Sequence, residues 1–158
     1  MKDGPLDRDP ATHASSFIPH PSLEVSAALL FRGGRLLITQ RRRQDHLGGL
    51  WEFPGGKREP GESFEDCLRR ELVEELGVEV RVGELVGSIT HDYAEKSVHL
   101  RFFRCALVLA DAEPRAIGCD AVEWVGPDEL GRFEFPAADA RLLDRLRASP
   151  SLWADRPA

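Results

Sequence analysis

A chain of 158 residues with 42% apolar content has the size of one compact domain able to bury a substantial core, and no apolar run reaches membrane-spanning length. A net charge of −6 works against tight binding to a nucleic-acid backbone, which relies on basic patches, but bound metal and local arginines leave room for a small polyphosphate. Three cysteines, Cys67, Cys105 and Cys119, are odd in number and lack CxxC spacing, which argues against a disulfide framework or a zinc site and suits a reducing cytoplasm.

Residues 1–21 mix acids, prolines and histidines without an apolar centre, so they fit neither a secretory signal nor a transit peptide and are expected to form a flexible tail. A single domain is expected over residues 22–150, with a short tail over 151–158. Leu23 to Phe31 reads as a buried strand, Arg32-Gly33-Gly34-Arg35 as its turn and Leu36 to Gln40 as the returning strand of a hairpin. Leu50 to Phe53 is a short strand that delivers the chain to Pro54-Gly55-Gly56. Beyond residue 77, the β-branched and aromatic content predicts strands over Val78–Val82, Glu84–Thr90, Ser97–Leu109 and Ala121–Val125. Pro127–Leu130 reads as a helical turn and Ala138–Arg147 as a closing helix with Leu142, Leu143 and Leu146 inward.

The most informative stretch is Gly56 to Val78, GKREPGESFEDCLRRELVEELGV. Ser63 with Asp66 three residues on resembles a capping box and follows a Pro60-Gly61 turn, so a helix starts near Phe64. Phe64, Leu68, Leu72 and Leu76 recur every four residues with Cys67 on the same stripe, and Gly77 suits a left-handed C-terminal cap. Glu71, Glu74 and Glu75 then stand as neighbours on the helix surface, where like charges repel by a few tenths of a kcal/mol per pair. Arg70 can pair with Glu74, but one guanidinium cannot neutralise three carboxylates and Glu62. A hard divalent ion, magnesium or manganese, is the fitting complement. A bare run of glutamates is otherwise a solvated helix face.

The same segment resembles the signature of the Nudix hydrolases: Gly56, five residues, Glu62, seven residues, Arg70-Glu71, Leu72, any residue, Glu74-Glu75, any residue, Gly77 and Val78. That resemblance implies an α/β fold, the Nudix α/β/α sandwich with a mixed central β-sheet, and Mg²⁺-dependent hydrolysis of a nucleoside diphosphate linked to another moiety. It also implies that Glu74, Glu75 and the Gly55 carbonyl bind metal, that Glu71 is a ligand or the general base, and that Arg70 orients these carboxylates.

Thr39 to Lys57, TQRRRQDHLGGLWEFPGGK, is similar to the MutT-type branch, which implies conversion of 8-oxo-dGTP to its monophosphate and pyrophosphate in nucleotide-pool sanitation. On this resemblance the substrate is contacted by Arg41, His46, Phe53, Tyr93, Lys96 and Asp139. Phe53 has core, His46 loop surface and Lys96 solvated charge as equally good readings. Two positions depart from the branch. Gly118 stands where a further glutamate ligand is expected, with Asp120 and Glu123 nearby, and Asp139 replaces a base-reading asparagine. An ionised carboxylate only accepts hydrogen bonds, so it favours guanine's N1 and N2 or a cytosine's N4 amine, and modified pyrimidine triphosphates stay open as substrates. A dinucleoside-polyphosphate hydrolase, to which Tyr93 fifteen residues after Val78 points, and a lesion-recognition module without hydrolysis are the alternatives. The expected partner is a small nucleotide, with no stable nucleic-acid or membrane binding and a monomeric or homodimeric state.

Overall fold

The computed structural model describes residues 22–155, so the expected N-terminal tail over residues 1–21 and the last three residues lie outside the described residues. Strand β1 (Ser22–Arg32) and β2 (Arg35–Gln40) form the expected hairpin. Its two turn residues, Gly33 at φ 59° and Gly34 at φ 75°, are both in the left-handed region that a two-residue turn between twisted strands requires. β1 then serves as the hub. It runs parallel to β6 (Ser97–Leu107) from Ser22↔Ser97 to Leu30↔Cys105. Its other edge is shared by β2 at Phe31–Arg32 and, further back, by a three-residue strand β4 (Gly55–Lys57) that pairs antiparallel with Val25–Ala27.

β3 (Trp51–Glu52) and β7 (Ala121–Val125) flank β2, and β5 (Val80–Asp92) lies antiparallel to β6. The sheet is mixed and buried on both faces. Successive β1 side chains alternate between two cores. Ala27, Leu29 and Phe31 face one with Leu142, Leu146 and Trp153, while Ala28 and Leu30 face the other with Leu68, Leu72 and Leu76 of helix α1 (Phe64–Leu76). The layers are therefore α1 on one side and, on the other, α2 (Ala140–Ala148) with α3 (Pro150–Trp153). This is the expected α/β/α sandwich.

Three local differences from the sequence expectations have physical causes. The strand break at Gly83 is a bulge: β5 continues through it with register shifts between Val82 and Gly87, as an isolated glycine within a strand often signals. β6 ends at Leu107, and Leu109 is exposed. The folded unit does not stop at residue 150. Pro150 opens α3, whose Leu152 and Trp153 are buried in the core; Trp153 packs edge-on against Phe31 with ring centroids 5.4 Å apart. A tail beginning at 151 would have left that apolar surface in water.

The C-terminus is held by Arg104, a buried arginine of β6 that donates to the carbonyls of Leu152 and Ala154 and stacks over the Phe31 ring. Replacing it leaves the buried Leu152 carbonyl, and the partly buried one of Ala154, without their charged donor, at a cost of about 1–3 kcal/mol for a buried unsatisfied group. Arg104→Ala is expected to lower the unfolding free energy by about 2–4 kcal/mol, seen as a lower urea midpoint; an unchanged midpoint would contradict this role.

Candidate active site

The site is built where α1 meets β4. Ser63 caps the helix by accepting from the Asp66 amide at 3.0 Å, and the buried Ser26 hydroxyl of β1 donates to the Phe64 carbonyl at 2.7 Å. Ser26 is also the β1 partner of Gly56, so one residue registers the helix start against the glycine strand. Arg58 closes the intervening loop by donating to the Glu62 carbonyl at 2.7 Å and pairing with Glu24. At the far end Gly77, at φ 70°, donates its amide to the Val73 carbonyl at 3.0 Å and ends the helix as expected.

Arg70 organises the acids. Its Nε donates to Glu62 Oε2 at 2.7 Å and its Nη2 to Glu62 Oε1 at 2.9 Å, a two-pronged pair. Its Nη1 reaches Glu71 Oε2 at 2.9 Å and, more weakly, Glu74 Oε1 at 3.4 Å, and Nη2 also meets the Lys57 carbonyl at 3.1 Å. The guanidinium holds Glu62 down to about 2. Glu62 is thus tied to Arg70 and serves to fix its direction.

Glu71 and Glu75 point inward. The Glu71 carboxyl occupies the space that a side chain on Gly56 would fill: a Cβ there would lie 2.2 Å from Glu71 Cδ. Burial raises the Glu71 pKa further than Arg70 lowers it. Glu75, hydrogen-bonded to Glu71, is pushed up to about 8 by burial and by the nearby charges of Glu71 and Glu52. Glu74 is different, with its side chain 57% exposed and turned toward Arg70. Among the described residues no three His, Cys, Asp or Glu side chains converge as an enclosed cation site. The donors gathered here are nevertheless all hard oxygens, and two adjacent carboxyls in a partly buried setting are what a divalent cation would relieve. The chemistry of Glu71 and Glu75, with Glu74 next in sequence, fits such an ion, and Gly55 lines the same cavity as Glu75.

From Glu75 a cavity of about 360 Å³ runs between the β2–β3 loop, the β5–β6 hairpin and the segment before α2. Arg41, His46, Phe53, Tyr93, Lys96 and Asp139, the six substrate residues suggested by the resemblance, all line it, together with Gly55 and Glu75. Phe53 is at once core and wall, only 5% exposed, stacked on Phe135 at 5.2 Å and edge-on to Phe102 at 5.9 Å. Tyr93 sits between His91 at 4.4 Å and His46 at 6.2 Å. Asp139 is 6% exposed; burial first, then the charge of Glu52, pushes it up to about 6. Arg41 is occupied, with Nη1 donating to Glu52 Oε1 at 2.9 Å and Nε to the His46 carbonyl at 2.6 Å.

Neither acid near Gly118 takes the place of the expected extra ligand. Asp120 is exposed and accepts from the Arg43 amide at 3.1 Å, and Glu123 is exposed on β7. Gly118 itself lines the cavity, and a Cβ there would lie 3.0 Å from Glu75 Cγ. Two acids lining the cavity were not read from the sequence: Asp45, which is exposed, and Glu52, whose pKa burial raises against the pull of Arg41. The one signal of Glu52 was a charge within the apolar run LWEFP. His91 and Phe135 were also missed.

The NUDIX domain profile matches residues 26–145. The chain belongs to the Nudix family. It is 39% identical to a CTP pyrophosphohydrolase of Escherichia coli over 136 residues, 86% of this chain and 97% of that one, and 39% identical to an 8-oxo-dGTP diphosphatase of Proteus vulgaris over 82 residues, 51% of this chain and 73% of that one. A MutT protein from Methanosarcina mazei Go1 superposes with a TM-score of 0.74 at 25% identity, covering 84% of this chain and 98% of that structure. These place the protein in the MutT-like branch of the Nudix hydrolases, enzymes of the class that acts on nucleoside diphosphate-linked substrates.

Two neighbouring glycines of this Nudix loop should respond differently to alanine. A Cβ on Gly55 would lie 1.9 Å from the Ser26 carbonyl oxygen, backbone that cannot yield, so Gly55→Ala should destabilise the fold. For a Cβ on Gly56 the three nearest atoms all belong to the Glu71 carboxyl, the end of a side chain that can swing away. Gly56→Ala should therefore keep its melting temperature within a few degrees and lose about a hundredfold or more in hydrolysis, of the order of the loss when one transition-state contact is removed. Full activity in Gly56→Ala would contradict the close packing of Glu71.

Proposed function

We propose that this protein is a divalent-metal-dependent nucleoside triphosphate pyrophosphohydrolase that removes an oxidised purine nucleotide such as 8-oxo-dGTP from the nucleotide pool. The observation that carries this reading is a single cavity lined by Glu75, by the aromatic Phe53 and by the buried Asp139, with Glu71 next to Glu75 on the helix and packed against Gly56 of the same cavity wall. In the reaction a water oxygen bonds to phosphorus, the P–O bond of the α–β anhydride breaks, and its electron pair stays on the departing phosphate oxygen. The products are nucleoside monophosphate, pyrophosphate and a proton.

Magnesium, or manganese in its place, would be held by Glu71, Glu74, Glu75 and the Gly55 carbonyl, and would neutralise phosphate charge and acidify the attacking water. Arg70 keeps Glu71 aimed at the Gly56 strand. Glu71, directed by Arg70, is the carboxylate that would take the proton from water. Phe53 offers a flat apolar wall for the base, and Asp139 reads its edge. Ionised, Asp139 accepts from two adjacent N–H groups, as guanine's N1 and N2 provide. The three cysteines are buried and free, which supports a reducing cytoplasm as the setting. No helix among the described residues is long and apolar enough to cross a membrane.

A second reading, a cytidine or modified pyrimidine triphosphate, is favoured by the relative named for CTP. Cytosine presents an N4 donor beside an N3 acceptor and so pairs with a protonated Asp139, which both accepts and donates.

Protonation separates the two. Asp139 is raised to about 6, so it is mainly ionised above that pH and protonated below. For a guanine-type substrate kcat/KM should fall as pH drops through about 6; for a cytosine-type substrate it should rise over the same interval. Asp139→Asn should remove either step and shift selectivity among nucleotides more than it slows the preferred one. A wild-type profile flat from pH 5 to 7 would contradict the assignment of Asp139.

For the metal-binding acids, Glu75→Gln should fold normally by circular dichroism and lose a few orders of magnitude in turnover. Undiminished hydrolysis in that variant would remove Glu75 from the mechanism.

A further inference from the structure

We infer that Arg42 binds the phosphate chain of the substrate, and the pyrophosphate after cleavage, at the Glu75 end of the cavity. The inference rests on the pyrophosphohydrolase reading above and adds to it the cation that meets the charge the metal leaves.

The two arginines that follow β2 differ in what they have left to offer. Arg41 is committed, with one nitrogen on Glu52 and another on the His46 carbonyl. Its charge is directed at Glu52, whose ionisation burial opposes. Arg42 lines the same cavity and, among the described residues, makes one side-chain hydrogen bond, from Nη2 to the Ile117 carbonyl at 2.9 Å. A guanidinium has five N–H donors, so four remain. No carboxylate of the described residues is paired with it within salt-bridge distance.

Its position is set from both sides. The Arg42 carbonyl accepts the Asp45 amide at 3.0 Å, closing the turn, and the adjacent Arg43 amide donates to Asp120 at 3.1 Å. The Ile117 and Gly118 amides both donate to the Glu75 carbonyl at 3.0 Å. The Ile117 carbonyl that receives Arg42 thus belongs to a segment fastened to Glu75 itself. Gly118 contributes no side chain between them. A planar guanidinium tethered to the segment that is fastened to Glu75, with donors turned to the cavity, suits the multiply accepting oxygens of a phosphate chain.

Calorimetric binding of magnesium pyrophosphate, and inhibition by it, should be measured for wild type, Arg42→Gln and Arg42→Lys, alongside kcat/KM for a triphosphate and the diphosphate of the same nucleoside. A charged hydrogen bond to phosphate corresponds to a factor of about ten to one hundred. Arg42→Gln should weaken pyrophosphate binding and the triphosphate's KM by that factor, leave the ratio between two bases unchanged, and narrow the preference for triphosphate over diphosphate. Arg42→Lys should recover part of the loss, because lysine keeps the charge but not the fork. If Arg42→Gln binds pyrophosphate as wild type does, or weakens monophosphate and pyrophosphate equally while its melting temperature falls, Arg42 is only a staple between the two loops and the inference is overturned. Wild type that binds magnesium pyrophosphate but hydrolyses no nucleoside triphosphate would instead remove the pyrophosphohydrolase reading, leaving the binding comparison to decide on Arg42.

Discussion

The Glu71 carboxyl lies in the space where residue 56 has no side chain, and the rest of the site follows from that close approach. It is possible only because β4 is hydrogen-bonded to the middle of β1 and α1 is packed over both. With Glu71 there, burial works against its ionisation, and Glu75, the next acid on the inner face, inherits the repulsion. Arg70 cannot relieve it alone, because its stronger bonds go to Glu62. The fold therefore concentrates negative charge at one spot and leaves an incomplete set of positive groups around it. A site of this kind is one that a bound cation would balance.

The opposite end of the cavity follows a different logic. Asp139 is the N-cap residue of α2 yet makes no side-chain cap; its carboxyl is buried toward the cavity and raised to about 6. Burying an acid costs stability in the empty protein, and a ligand edge rich in N–H groups would offset that cost. Glu52 joins the two ends electrostatically: it repels Glu75 and Asp139 and is itself held by Arg41. One consequence of this arrangement is a division of labour among the basic groups, with Arg41 serving the protein's own acids and Arg42, among the described residues, left with open donors.

Much of this was legible in the chain. Helix α1 runs from Phe64 to Leu76 as its cap residues and four-residue stripe require, because those signals are local. The six cavity residues chosen by resemblance do converge. β4 was not legible, since Gly55-Gly56-Lys57 has no strand propensity and its pairing is dictated by β1. The burial of Leu152 and Trp153 was missed because two apolar residues after a proline show no periodicity; the core they enter is formed by residues far away in sequence. Glu52 and the contrast between Arg41 and Arg42 depend on which side chains meet across loops, and that information exists only in three dimensions.

The central claim is that the inward pair Glu71 and Glu75 binds a divalent cation against the substrate's phosphates. Manganese titration followed by electron paramagnetic resonance, in the presence of pyrophosphate, tests it most directly by comparing wild type with the Glu71→Gln, Glu75→Gln double variant. The account requires wild type to take up at least one ion and the folded double variant to lose that uptake. Equal uptake by both proteins, beyond what pyrophosphate binds in free solution, would contradict it.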